Sequence, residues 1–187
     1  MTDANLPGAS GVGTAADVVI NAGIRPGGIA SHRYLVECFD RAGKLKWVEE
    51  FDNITVDAGL DEILDKFYKG STYTASHFVG LKLTGAIVAG DTMASHAGWA
   101  ETTVYSNANR PAFTPGSVAS QSVDNSASKA VFNINGSATV TGGFLTTNNT
   151  KGGSTGILIG GGEFAASRGV ANGDTLNVTV TATQASA

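Results

Sequence analysis

The stretch Thr175-Leu176-Asn177-Val178-Thr179-Val180-Thr181-Ala182-Thr183 sets Leu176, Val178 and Val180 against Asn177, Thr179 and Thr181. Successive side chains of an extended chain point to opposite faces, so this alternation predicts a strand with one apolar and one hydroxylated face. Threonine suits the outer face, because its branched side chain packs well on a half-exposed pleat. Ala130, Phe132 and Ile134 repeat the pattern against Val131 and Asn133, within a run over 129–135. Further β-prone runs lie at 77–83, 87–89, 99–106, 112–118, 138–147, 156–159 and 162–165. Asn135-Gly136, Asn148-Asn149 and Asn172-Gly173 supply turns between them. Short strands with turn signals every ~8–12 residues predict an all-β fold, a jelly-roll-like β-sandwich.

Upstream, His32-Arg33-Tyr34-Leu35-Val36-Glu37-Cys38-Phe39 and Lys44-Leu45-Lys46-Trp47-Val48-Glu49-Glu50-Phe51 flank the turn sequence Asp40-Arg41-Ala42-Gly43. Two such runs around a short glycine-containing loop predict a hairpin, with Tyr34, Val36 and Cys38 on one face. One helix is expected over 57–69. Leu60, Ile63, Leu64 and Phe67 fall at i, i+3, i+4 and i+7, a single stripe that would pack on a sheet. Asp57 is the expected N-cap, Lys66 and Lys69 stand in the last turns, and Gly70 closes the helix. Residues 1–31 carry glycine and alanine without a sustained period and are expected to form an extended N-terminal arm. The β-sandwich domain is then expected over 32–187.

The chain has 187 residues, a length that fits one domain with a real core. Its net charge of −4 supplies no basic surface to neutralise phosphates, so no nucleic-acid partner is expected. Charged residues make up only 15%, against ~25% in an ordinary globular chain, which argues against a coiled coil. The single cysteine, Cys38, excludes an intramolecular disulfide and a multi-cysteine zinc site. No basic-then-apolar leader opens the sequence, and no apolar run approaches the ~20 residues of a membrane span. A soluble protein made in a cytoplasm, with no membrane partner, is the expectation.

The chemistry-bearing residues do not assemble into a motif. His32, His77 and His96 lack ligand spacing of the H-E-x-x-H kind, so no metal site is expected. Cys38 sits inside a strand without a neighbouring histidine and is read as a buried thiol. Glu49 and Glu50 are adjacent on a strand and point to opposite faces, while Asp61 and Glu62 belong to the polar side of the helix. Gly8-Ala9-Ser10-Gly11-Val12-Gly13 lacks the Gly-Lys-Ser/Thr ending of a phosphate loop. Gly160-Gly161-Gly162 lies between two β segments and is read as turning or flexible backbone. In the loop from Asp91 to Pro111, Trp99 and Tyr105 are read as core anchors and Glu101–Arg110 as a staple beneath the loop, in preference to a ligand site. No catalytic residue, cofactor or metal ligand is assigned.

An ordered succession of short motifs adds a resemblance. Gly70-Ser71-Thr72-Tyr73-Thr74-Ala75, Val79-Gly80-Leu81, Ala89-Gly90-Asp91-Thr92-Met93-Ala94-Ser95-His96-Ala97-Gly98-Trp99, Tyr105-Ser106, Arg110-Pro111-Ala112, Phe132-Asn133-Ile134-Asn135, Gly143-Phe144-Leu145, Lys151-Gly152-Gly153 and Gly173-Asp174-Thr175-Leu176-Asn177-Val178 follow one another over about 55–183. This succession resembles small virion structural proteins of tailed bacteriophages, the closest kind being capsid cement (decoration) proteins. The resemblance implies a non-enzymatic β-sandwich on the capsid surface, with the major capsid protein as partner and a homo-oligomer, dimer or trimer, as its form. It also implies synthesis in the host cytoplasm. The alternative is a phage tail or surface recognition module that binds carbohydrate or host protein through its loops.

Overall fold

The computed structural model describes residues 29–73 and 76–185. Two antiparallel sheets face one another. The first runs in the order β2 (Leu45–Asp52), β1 (Ile29–Phe39), β10 (Thr175–Ala185) and β6 (Ser122–Asp124), with β7 (Ala130–Asn133) also pairing β10. The second runs β3 (Ile54–Thr55), β9 (Leu158–Val170), β8 (Ala138–Thr146), β4 (His77–Lys82) and β5 (Ala112–Phe113). With one helix, α1 (Asp57–Phe67), this is the expected all-β sandwich. Most of the expected arm, 1–28, lies outside the described residues. The expected boundary after residue 31 moves, because Ile29, Ala30 and Ser31 already pair with Ala185, Gln184 and Thr183.

The alternating strands behave as their period requires. Tyr34, Val36 and Cys38 of β1 and Leu176, Val178 and Val180 of β10 are buried, as are Ala130 and Phe132 of β7. They meet Val79, Leu81, Leu145 and Phe164 of the second sheet in one core. Tyr34 stacks on Phe51 with ring centroids 4.8 Å apart. Each large apolar side chain removed from water here contributes about 1.5–3 kcal/mol, so the sheet-to-sheet seam holds the domain together.

The second sheet is buried on its outer face as well. There Val56, Ile87, Met93, Trp99, Phe144 and Leu158 form a second cluster under α1 and the loop that follows β4. Two strand expectations fail here and a third is met only in part. Residues 87–89 and 99–106 contain no strand, and 112–118 contains only β5. In the first two, Ile87, Trp99 and Tyr105 are buried while Val88 stays exposed, and Glu101 and Tyr105 form isolated bridges to Lys82 and Ile134. The glycine run is corrected too. Gly160, Gly161 and Gly162 are neither a turn nor flexible backbone but lie inside β9, which joins the two runs expected at 156–159 and 162–165. A Cβ on Gly161 would overlap Ile87 and the Gly143 carbonyl, so glycine here admits close approach of neighbouring layers.

Helix α1 ends two residues earlier than expected, at Phe67. Asp57 is its first residue and not its cap. Val56 takes the capping position in extended conformation and makes no side-chain cap bond. Gly70, at φ +72°, closes the C-terminus as the sequence predicts. The stripe is the main correction. Gly59 is the buried residue of α1, and a Cβ there would overlap the Ile159 carbonyl oxygen. Backbone-to-sheet contact at Gly59 therefore fixes the rotation of the helix, and most of the leucine–phenylalanine stripe turns outward.

Candidate functional site

His32 is buried, with its ring Nδ1 2.9 Å from Asn53 Nδ2 and its backbone N–H donating to Asn53 Oδ1 at 2.7 Å. Burial first, and the charge of His77 second, lower its pKa to about 4, so it is neutral at ordinary pH. Burial also lowers the pKa of His77. His96 stacks on Trp99, centroids 4.1 Å apart, in a different loop. Among the described residues no group of three or more His, Cys, Asp or Glu side chains is arranged to hold a metal ion. Burial, followed by the nearby Asp174 carboxylate, raises the Cys38 thiol to about 11, which keeps it protonated and unreactive.

The loop from Asp91 to Pro111 is built as a structural clamp. Arg110 is fully buried and donates through Nε and Nη2 to the two carboxylate oxygens of Glu101, at 2.9 and 2.7 Å. Its remaining donors reach the Asn148 and Gly153 carbonyls at 2.9 and 2.8 Å. The backbone N–H of Gly152 completes the Glu101 carboxylate at 2.9 Å. Asp91 accepts from Trp99 Nε1 at 3.0 Å and from the Val88 backbone at 2.9 Å. Trp99 and Tyr105 are both buried. The expected staple and its two anchors are thus in place, and every polar group in the clamp has a partner within the chain. Buried Glu49 and exposed Glu50 do face opposite ways, and Glu49 pairs with Arg168 at 2.5 Å.

Among the described residues, the outward face of α1 is left uncovered. Leu60, Leu64, Phe67 and the following Tyr68 are 41%, 54%, 78% and 77% exposed. Phe67 and Tyr68 meet edge to face, centroids 5.0 Å apart, and form an aromatic knob at the end of the helix. Asp57 and Asp61 are exposed near the N-terminus, while Lys69 is exposed at the C-terminus, where it pairs with Asp65 at 3.1 Å. The apolar period of the helix was legible in the sequence. Its outward direction was set by Gly59, a residue that hydrophobic periodicity does not score. Among the described residues no helix is long and apolar enough to cross a membrane.

No protein-family model and no curated protein sequence matches the chain.

Proposed function

We propose that the chain is a bacteriophage capsid cement (decoration) protein, which binds the assembled head shell and stabilises it by bridging capsid subunits. The observation that carries this reading is the apolar face of α1, a contact surface that the domain does not use in its own core. A large exposed apolar patch on a small domain marks a protein–protein contact. The ordered motifs over about 55–183, which resemble small virion proteins, supply the kind of assembly. Support also comes from the clamp, whose charged groups are paired within the fold, and from His32, whose ring Nδ1 meets Asn53.

The mechanism is linkage. A protein that binds assembled subunits and not separated ones shifts the assembly equilibrium by its binding free energy. Contacts made by linked copies then add as avidity. The test uses particles that lack the protein, incubated with purified chain and sedimented. Binding over the whole shell, with none to separated capsid subunits, is the expected result. Binding confined to the tail, or to cell-surface carbohydrate alone, would overturn the proposal in favour of a recognition module.

A further inference from the structure

We infer that Asn135 is a site of spontaneous deamidation, where attack by the Gly136 backbone nitrogen converts the side chain to aspartate and isoaspartate. The fold directs the reaction to this position by holding the second candidate, Asn172, in a locked turn.

The chain contains two Asn-Gly dipeptides, Asn135-Gly136 and Asn172-Gly173. Both asparagines are exposed, so water reaches each of them. In both, the following residue has no Cβ to hinder attack by its backbone nitrogen. By sequence the two sites are equivalent. The chemistry has definite requirements. The glycine N–H loses its proton, and its nitrogen swings onto the asparagine Cγ. The new C–N bond closes a five-membered succinimide while the side-chain nitrogen departs as ammonia. Water then opens the ring at either carbonyl, giving aspartate or isoaspartate. Nothing is oxidised or reduced, and water is the co-reactant. A glycine N–H already held in a hydrogen bond is protected until that bond opens, as in amide hydrogen exchange.

The backbone separates the two sites. Gly173 N–H donates to the Ile134 carbonyl at 2.9 Å. Its turn is closed by Asp174 N–H on the Ala171 carbonyl at 3.0 Å and by Ala171 N–H on Asp174 Oδ2 at 2.8 Å. That same carboxylate oxygen pairs with Lys46 at 2.5 Å. Asn172 and Gly173 occupy the middle of this turn, with Gly173 at φ +92°. Neither can reach the attacking geometry without opening it. Gly136 has none of these restraints. It lies at a bend between β7 and β8, and its N–H has no hydrogen-bond partner among the described residues. The product is not silent. Isoaspartate lengthens the backbone immediately after buried Ile134, whose N–H and carbonyl bond to Asp174 and Gly173. Either product also adds a negative charge.

Purified full chain is incubated at mildly alkaline pH, and both sites are followed by peptide mapping with mass spectrometry. Residue 135 should gain about 1 Da and resolve into aspartate and isoaspartate forms. It should react at least about tenfold faster than residue 172, whose N–H must first be released. The rate should rise with pH, because the attacking nitrogen must be deprotonated. In guanidinium chloride, where the turn is gone, the two sites should react at similar rates. Asn135→Gln, whose longer side chain closes a six-membered ring slowly, should abolish the change and leave the circular dichroism spectrum as it was. Equal rates in the folded chain or faster reaction at Asn172 would each overturn the assignment. So would a difference that persists in the unfolded chain, or a folded Asn135 that stays intact while the unfolded one reacts.

Discussion

Replacing Arg110 by alanine should be among the most damaging single changes in the domain. The guanidinium is fully buried, and its carboxylate partner Glu101 is only 7% exposed. Truncation removes four hydrogen bonds at 2.7–2.9 Å, two to Glu101 and one each to the Asn148 and Gly153 carbonyls. It leaves Glu101 with the Gly152 N–H and a long bond from the Tyr105 hydroxyl at 3.4 Å. Breaking a buried pair by deleting one partner costs about 3–5 kcal/mol, because a desolvated charge is left uncompensated. For a chain of this size each kcal/mol lowers the melting temperature by about 2–4 °C, so a fall of roughly 6–20 °C is expected. Urea denaturation followed by circular dichroism reads the free energy directly. The double variant Arg110→Met/Glu101→Leu should recover part of the loss, since no charge then remains buried alone. A loss below about 1 kcal/mol for Arg110→Ala, or a double variant as unstable as the sum of the two single ones, would refute the clamp.

Gly59→Ala should destabilise the domain by about 1–3 kcal/mol despite alanine's better helix propensity, because its methyl group overlaps the Ile159 carbonyl; increased stability in urea would contradict the docking of α1. Leu64→Ala should change stability by less than about 0.5 kcal/mol, whereas Leu176→Ala, fully buried in β10, should cost about 2–5 kcal/mol; equal losses would mean that Leu64 packs in the core. His32 gives a pH signature: its folded pKa of about 4 lies below the usual 6.5, so the unfolded chain binds more protons between those values. Stability should be full above about pH 6.5 and decline by about 3 kcal/mol as pH falls to 4, a decline reduced in His32→Gln; an NMR titration of the His32 ring near 6.5 would contradict its burial.

The parts of the fold legible in the sequence are those in which side-chain period and burial coincide. β7 alternates in burial as in sequence, and in β10 Leu176, Val178 and Val180 face the core while Asn177 and Thr181 on the other face are only half-buried, with Thr179 buried as well. The first hairpin was readable for the same reason, and Glu101–Arg110 was readable because an acid and an arginine lay close together among aromatic residues. β9 was hidden by its own mechanism. Its glycines are selected to let Ile87 and the neighbouring backbone approach, so they carry no alternating side chains to read. The loop after β4 misled in the opposite way, since Ile87, Met93 and Trp99 are buried by folding over a sheet and not by joining it. For α1 the period was correct and the direction was not, because contact at Gly59 outweighed the pull of the leucine stripe.

The most direct measurement compares heat-induced DNA release from phage particles that carry the protein and from particles that lack it. On the proposed cement role each bound copy would stabilise only the assembled shell, so particles with the protein should release their DNA at a higher temperature, and adding purified chain to deficient particles should restore that temperature. Equal release temperatures with the protein demonstrably bound to the shell would contradict a cement role.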